Sequence, residues 1–347
     1  MSSAVQPARG LAGYAGFRAV IKAVGTGPRG SRDLRFEEAR DAIAALLAGE
    51  VSGPQAGAFL VGMRVKGETA EELAGAAQAL RDRALALHDD AGPPAPPLVV
   101  SAGAFDGVAE APSLSLAAAA CAVAAGVRVA VACGGRLGPK HGVTPADVLG
   151  ALGGPARPRP EDSEAMLARC GLAVVHAGEA LPGWDALAAV RDEVGLRGPV
   201  HSAEKLVDWF GARRFVVGHT HGGFAAKLLG ALDRLGADRA VALRGVEGSD
   251  VLRPGRPVAV GTDGALELPE RLGLHLRGDP DPELAAALTR AVLAGDEHGA
   301  ARWAVVLSAA VRLVAGGVTP DPATAVGRCA AVLDEGRATA VLDGLVG

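Results

Sequence analysis

The run Gly92-Pro93-Pro94-Ala95-Pro96-Pro97-Leu98-Val99-Val100-Ser101-Ala102-Gly103-Ala104-Phe105-Asp106-Gly107 is where the chain changes its grammar. Its prolines forbid helix and stiffen the backbone toward polyproline geometry, so residues 93–97 are expected to form a hinge between two domains. Leu98-Val99-Val100 then reads as a strand that runs straight into a loop of small residues, and a helix is expected to start near Ser113 or Ser115. Strand, small-residue loop and helix in that order make the repeating unit of an α/β sheet.

Upstream of the hinge the chain reads as helical. From Asp33 to Leu47 the apolar residues Leu34, Ala39, Ile43, Leu46 and Leu47 recur at helical spacing, and Gly49 supplies a stop. Ser52 stands as an N-cap before Pro54 and announces a second helix through Phe59 and Met63. Thr69, followed by Glu71 and Glu72, opens a third that is expected to reach Leu87. Downstream, β-branched runs (Leu98–Val100, Val127–Val131, Phe215–Val217, Ala240–Leu243) alternate with Ala/Leu-rich helices, the pattern of crossover units on a largely parallel sheet. Glu161–Cys170 and Trp184–Glu193 read as helices, the first expected to pack back on the helical domain, and Pro282–Val346 reads as almost wholly helical. The expected fold class is α/β: a small N-terminal helical domain, residues 1–92, and a large α/β domain, residues 98–347, with a mainly parallel central sheet.

Composition narrows the function classes. A chain of 347 residues, 49% of them apolar, can bury a substantial core. A formal net charge of −4 excludes a generally basic nucleic-acid coat, so any phosphate binding must be local. Cys121, Cys133, Cys170 and Cys329 are widely separated and form no C-x-x-C pair, which suggests neither a zinc site nor a disulfide framework and fits a reducing cytoplasm. Residues 1–17 lack the basic and unbroken apolar segments of a secretory signal, and apolar runs such as Leu116–Val127 are too short and Ala-rich to span a bilayer. A cytoplasmic protein without a membrane segment is the expectation.

Two strand-to-helix loops carry the first functional signal. In Ser101 to Gly107, small residues such as Gly103 let backbone N–H groups approach an anion, and the following helix N-terminus adds roughly half a positive charge. An ordinary Gly-rich turn is the bland alternative. The second loop, Cys133-Gly134-Gly135-Arg136-Leu137-Gly138-Pro139-Lys140-His141-Gly142, adds Arg136, which can fork to phosphate oxygens, and Lys140, a mobile point charge. A solvated turn with two surface cations is its alternative. Cys133, just past a strand, reads as a buried small hydrophobe rather than a reactive thiol.

Gly218-His219-Thr220-His221-Gly222-Gly223 follows another strand, with one histidine expected to line a cleft and the other to pack. Gly245-Val246-Glu247-Gly248-Ser249-Asp250 offers two carboxylates at a strand's C-terminal end, where α/β ligands gather. Magnesium held through phosphate oxygens would suit that pair; a plain acidic turn is the alternative.

Set side by side, Glu37-Glu38-Ala39, Leu47 to Ser52, Gln55 to Leu60, Met63 to Thr69 and Glu72-Leu73-Ala74-Gly75 resemble the N-terminal helical domain of anthranilate phosphoribosyltransferases. The resemblance continues through Ala146-Asp147-Val148-Leu149, Gly195-Leu196-Arg197 and Ala291 to Gly295, and so covers nearly the whole chain. Phe17 to Lys22 and Gly27 to Leu34 look more like a divergent branch of that family, which includes nucleic-acid-binding members.

The resemblance implies a small helical and a large α/β domain, a cleft between them, and a homodimer joined through the helical domain. It implies a pyrophosphate-binding loop at Ser101 to Gly107, where Asp106 and Gly107 match the closing Asp-Gly and the opening glycine pair is replaced. The family's Asn-x-Ser-Thr is represented by Ser113-Leu114-Ser115-Leu116, and its Lys-His-Gly-Asn falls on Ala132-Cys133-Gly134-Gly135, with Arg136, Lys140 and His141 in the same loop to supply charge. Phosphate is thus expected on Gly103, Asp106, Gly107, Ser113, Ser115, Gly134, Gly135, Arg136, Lys140 and His141. The acceptor is expected on Arg197 and His221. Magnesium is expected on Ser115, Asp250 and Glu247, the family's Asp-Glu pair being reduced here to Asp250-Val251. The reading carried forward is transfer of a phosphoribosyl group from phosphoribosyl pyrophosphate to an aromatic acceptor other than anthranilate. Its alternative is a non-catalytic dimer that binds nucleic acid, for which Arg18, Lys22, Arg29, Arg32 and Arg35 speak.

Overall fold

The computed structural model describes residues 15–92 and 94–347. Pro93 of the expected hinge, and residues 1–14 of the stretch read for a secretory signal, lie outside the described residues. Helices α1 (Phe17–Gly25), α2 (Phe36–Leu47), α3 (Gly53–Lys66) and α4 (Ala70–Arg83) open the chain. Their starts follow the local capping chemistry. Ser52 caps α3 with Pro54 in the first turn, and at α4 Glu72 N–H donates to the Thr69 hydroxyl (3.2 Å) while the Glu72 carboxylate accepts from Thr69 N–H (2.8 Å). That buried carboxylate also accepts from Leu34 N–H and from the Lys66 ammonium, each at 2.8 Å, and so joins α3, α4 and the entry to α2. Gly75 permits the close crossing of α2 and α4, since a Cβ there would stand 2.2 Å from the Phe36 carbonyl oxygen. Helix α4 stops at Arg83, about one turn short of Leu87: Ala84 leaves helical geometry and Leu85 N–H donates to Ala180 O instead.

The α/β part runs β1 (Leu98–Ala102), α5 (Ser115–Ala124), β2 (Arg128–Cys133), α6 (Pro145–Leu152), α7 (Pro160–Cys170) and β3 (Leu172–His176). It continues through α8 (Ala177–Ala180), α9 (Trp184–Val194), α10 (Val200–Ala203), β4 (Arg214–His219), α11 (Phe224–Arg234) and β5 (Arg239–Arg244). A short hairpin, β6 (Ala259–Gly261) and β7 (Gly264–Ala265), precedes α12 (Pro282–Ala294), α13 (Ala300–Gly316), α14 (Pro322–Asp334) and α15 (Thr339–Val346). The seven strands lie in the order β3-β2-β1-β4-β5-β6-β7; β1 to β5 are mutually parallel and the hairpin is antiparallel. The fold is therefore the expected helical domain plus a mainly parallel α/β domain. Helix α13 lies against β1, β4 and β5 and is buried without a break from Ala304 to Leu313, as a helix apolar on nearly all sides must be.

One expectation is corrected. Helix α7 packs on β2, β3 and α15, with the Ser163 hydroxyl donating to Val174 O at 2.7 Å, because its buried residues Ser163, Met166 and Leu167 face the sheet edge. It meets residues 1–92 where Glu164 accepts from His88 N–H at 2.7 Å, while the four opening helices are met by α9, which touches α2 and α3, and by α10 and α11, which touch α4. Among the described residues no helix is long and apolar enough to cross a membrane.

Candidate functional site

A cavity of about 730 Å³ lies where the helical domain faces the C-terminal ends of the parallel strands. Arg64 and Glu68 come from the helical side; Ala104 to Asp106 follow β1, Lys140 follows β2, His219 to His221 end β4, and Glu247 follows β5. This is the end of a parallel sheet at which ligands gather. Arg64 also donates to Arg197 O (2.5 Å), tying α3 to the cavity wall.

The central contact is bidentate. Asp106, fully buried, accepts from Arg197 Nε and NH2, both at 2.8 Å, with Lys140 Nζ 3.9 Å away. Lys140 donates to Glu247 O (3.2 Å) and sits 3.4 Å from the Glu247 carboxylate, which also accepts from Ala109 and Glu110 N–H. Burial holds the Lys140 ammonium below the usual lysine range; Asp106 opposes that shift and Arg197 reinforces it.

The wall beside Arg197 is a second polar cluster. Glu204 forms a buried bidentate pair with Arg191 (2.8 and 3.0 Å) and accepts from Trp184 Nε1–H (3.1 Å), which fixes the short turn that carries Lys205. Lys205 is buried, lines the cavity and donates to Gly218 O at 2.8 Å. His201 Nδ1 accepts from Gly198 N–H (3.2 Å), and burial, helped by the charge of Arg191, pushes its pKa down to about 2. His219 Nδ1 lies 3.0 Å from His221 O, so the proton sits on Nδ1; burial pushes this ring to about 4. Both imidazoles are neutral at physiological pH.

Of the residues expected from sequence, Asp106, Lys140, Arg197, His221 and Glu247 meet at this cavity. His219 lines it too, so both strand-end histidines face the cleft where one was expected to pack away. Arg136 is corrected: it is 48% exposed and turns to Asp147 (3.3 Å) at the start of α6. His141 likewise turns outward to Asp192, 3.1 Å from Nε2. Gly134 serves packing, since a Cβ there would stand 2.5 Å from the Trp184 ring, and Gly135 lies against His176. Gly103 lets β1 pass the Ser249–Asp250 backbone, and Gly107, at φ +74°, packs on Gly142. Ser113 is buried off the cavity. Cys133 is buried as expected, and burial pushes its thiol up to about 12.

Ser115 and Asp250 are corrected as metal ligands. The Asp250 carboxylate is closed off, accepting from Ser115 Oγ (2.5 Å), Ser101 Oγ (2.7 Å) and Arg312 NH2 (2.6 Å), and both Asp250 and Arg312 are buried. Three donors hold this carboxylate in the core, and Asp250 does not line the cavity. Among the described residues no group of three or more His, Cys, Asp or Glu is placed to hold a metal by itself. Glu247 is the expected donor that borders the cavity, and one or two carboxylates plus substrate phosphates suffice for magnesium. Arg64, His201 and Lys205 in the wall were not expected from sequence; the visible signal for the last two was the polar cluster His201-Ser202-Ala203-Glu204-Lys205, and Arg64 lies within the stretch Met63 to Thr69.

Comparison with known proteins agrees with this architecture. Residues 18–84 match the helical bundle domain of a glycosyl transferase family, and residues 106–339 match that family's α/β domain. The anthranilate phosphoribosyltransferase of Methylobacterium nodulans is 36% identical over 95% of this chain and 98% of its own length. The crystal structure of the Thermus thermophilus enzyme of that name is similar at a TM-score of 0.81, with 33% identity over 95% of this chain and 98% of the other. The Saccharomyces cerevisiae enzyme in complex with phosphoribosyl pyrophosphate and magnesium shares the fold at a TM-score of 0.77 and 16% identity, over 95% of this chain and 96% of the other.

Proposed function

This chain belongs to the anthranilate phosphoribosyltransferase family, and from that premise we propose that it binds phosphoribosyl pyrophosphate with magnesium in the interdomain cavity. In this reading it transfers the phosphoribosyl group to an aromatic acceptor other than anthranilate. The observation that carries it is the cavity wall, where Arg64, Lys140, Arg197 and Lys205 stand among Phe105, Leu196, Phe224 and Leu228. Cations suit a diphosphate and apolar faces suit an aromatic ring. The departure from anthranilate rests on the end of β2 and the loop after it, where Ala132, Cys133 and Gly135 stand in place of the family's lysine, histidine and asparagine and Trp184 packs beside Gly134.

The acceptor nitrogen would form a bond to the ribose anomeric carbon as that carbon's bond to the diphosphate oxygen breaks, the electron pair leaving with diphosphate. Positioning and electrostatics supply most of such catalysis. Lys140, held in place by Asp106 and Glu247, faces the charge that grows on the leaving group. Glu247 is the carboxylate that would hold magnesium, which when bound shields the diphosphate charge. His219, neutral with Nε2 unprotonated, adds no repelling charge to an incoming amine. The reading includes a homodimer joined through the helical domain, which sedimentation equilibrium checks.

Titration calorimetry with phosphoribosyl pyrophosphate and magnesium tests the proposal. Binding is expected that Lys140→Ala weakens by about tenfold, the effect of losing one charge-assisted contact; complete absence of heat overturns it. The nucleic-acid alternative loses part of its charge here, because Arg32 pairs bidentately with Glu38 (2.8 Å) and Arg35 reaches the same carboxylate at 3.6 Å. A gel shift with single-stranded DNA at low salt separates the two readings.

A further inference from the structure

The bond-making step leaves one proton without a destination. A neutral nitrogen that attacks the anomeric carbon becomes cationic, and its N–H must pass to a base before the product is neutral. Most ionisable groups on the cavity wall are unable to take it. Arg64, Lys140, Arg197, Lys205 and Lys227 are cations that offer donors and no acceptor. Asp106 is held bidentately by Arg197, and Glu247 by Lys140 and two backbone N–H groups. His201 accepts from Gly198 N–H on Nδ1 and has Nε2 3.5 Å from Gly138 O. His219 has Nε2 free, but a proton there makes a second buried cation: burial, with Lys205 and Arg244 repelling the charge, holds this ring at about 4. Glu110 and His221 are exposed.

Glu68 is different. It is 7% exposed and lines the cavity from the helical side, and among the described residues its carboxylate has neither hydrogen bond nor ion pair. A carboxylate withdrawn from water with its lone pairs unused is costly to keep unless a ligand completes it. The surrounding chain explains how it stays free. Gly67, at φ +81°, ends α3 and turns the backbone. Lys66 before it is tied to Asp33 (2.6 Å) and Glu72 (2.8 Å), and Thr69 after it caps α4. Arg64, the nearest cation along the chain, is engaged with Arg197 O, and Lys227 lies over the Phe224 ring, 5.3 Å from its centre. Both flanks of Glu68 are pinned while its own side chain is unengaged, which is the condition for a preorganised base.

Resting on the phosphoribosyltransferase reading above, we propose that Glu68 is the catalytic base that takes the proton from the acceptor's nucleophilic N–H. The nitrogen lone pair forms the bond to the anomeric carbon, and the carbon–oxygen bond to diphosphate breaks with its electron pair leaving on oxygen. The N–H electron pair returns to nitrogen as the proton passes to a Glu68 carboxylate oxygen. Glu68 ends as a neutral acid, whereas His219 in the same role ends as a cation near Lys205 and Arg244. A carboxylate is a strong enough base for this step, because a nitrogen that has gained a bond to carbon and a positive charge gives up its proton readily.

The test uses the full chain with phosphoribosyl pyrophosphate and magnesium, and follows acceptor-dependent diphosphate release with 2-aminobenzoate, 4-aminobenzoate, aniline and benzimidazole. Calorimetry with phosphoribosyl pyrophosphate reports separately that each variant is folded and holds the donor. Wild type is expected to turn over at least one of these acceptors. For that acceptor, Glu68→Gln is expected to lower kcat by about a hundredfold or more, the size of a general-base contribution, with KM within about threefold. Glu68→Asp is expected to keep more of kcat than Glu68→Gln, and added formate to restore part of the kcat lost in Glu68→Ala, neither of which a packing role produces. An unchanged kcat in Glu68→Gln overturns the proposal, as does a loss confined to KM, a loss of phosphoribosyl pyrophosphate binding in that variant, or the absence of formate rescue. A larger kcat loss in His221→Gln also overturns it, by making that exposed imidazole the base. A wild type that binds phosphoribosyl pyrophosphate but turns over none of the acceptors overturns the proposal alone; one that does not bind phosphoribosyl pyrophosphate sinks the phosphoribosyltransferase reading with it.

Discussion

Asp106 and Asp250 both stand beyond strand ends, both are withdrawn from water, and each holds an arginine, yet their surroundings are opposite. The arginine of Asp250, Arg312, is 0% exposed on the central helix α13, and Ser101 and Ser115 close the remaining sides. The arginine of Asp106, Arg197, is 29% exposed on the cavity wall, with Lys140 in reserve. A sealed pair can only anchor; this one fixes α13 to β1 and α5. An open pair can exchange partners, because water reaches the arginine. The same two side-chain chemistries thus divide into a sealed anchor and an accessible pair, decided by access alone.

The comparison breaks most visibly at the sealed pair. Arg312→Met leaves the Asp250 carboxylate buried without its countercharge and is expected to cost about 3–5 kcal/mol, measured by urea unfolding. Adding Asp250→Leu to the same chain is expected to recover most of that loss; no recovery would show that the two residues do not act as a unit. Arg197→Met, at the open pair, is expected to cost only about 1–2 kcal/mol, because solvent and Lys140 take over, while acceptor binding falls by more than stability does. Equal losses at the two sites would erase the contrast.

Acid sharpens it from another side. Burial keeps His201 at about 2 and His219 at about 4, below the ordinary imidazole value of about 6.5. Between those values the unfolded chain takes up protons that the folded chain refuses. Stability from these rings is therefore complete above about pH 6.5 and is lost progressively as pH falls, toward 4 for His219 and toward 2 for His201. Melting temperatures at pH 7 and pH 5 are expected to differ less in His201→Asn than in wild type. The smallest effect belongs to Arg136→Ala, whose exposed pairing with Asp147 is expected to contribute within about 0.5 kcal/mol, with no change in phosphoribosyl pyrophosphate affinity by calorimetry.

What could be read from sequence was what is encoded locally. Ser52 and Thr69 marked helix starts because capping needs only residues a turn away, and β1, β2, β4 and β5 showed as unbroken β-branched or apolar runs. Strand β3 went unread because Leu172-Ala173-Val174-Val175-His176 follows α7 with Gly171 alone between them, so its short apolar run merges with the helix pattern. The hairpin β6–β7 depends on pairing with β5 and has little pattern of its own. Side-chain direction was the harder part. Arg136 and Lys140 share one loop, yet only Lys140 reaches the cavity. Asp250 looked like a metal ligand because its partner, Arg312, is 62 residues further along the chain. Lys205 sits on a turn without the glycines that draw attention to a loop.

Trp184 gives the cavity wall an optical voice. Its indole N–H is bonded to Glu204, the residue next to Lys205, and the Arg191 guanidinium lies 5.7 Å from its ring centre. Of the other two tryptophans, Trp209 is buried in the core on the turn that follows Glu204–Leu206, and Trp303 lies under Arg271, its ring centre 3.7 Å from the guanidinium carbon. An anion bound in the cavity would change the electric potential around the Trp184 indole. The emission of the unlabelled protein is then expected to shift when the cavity fills, and replacing Trp184 with phenylalanine is expected to remove its share of that shift.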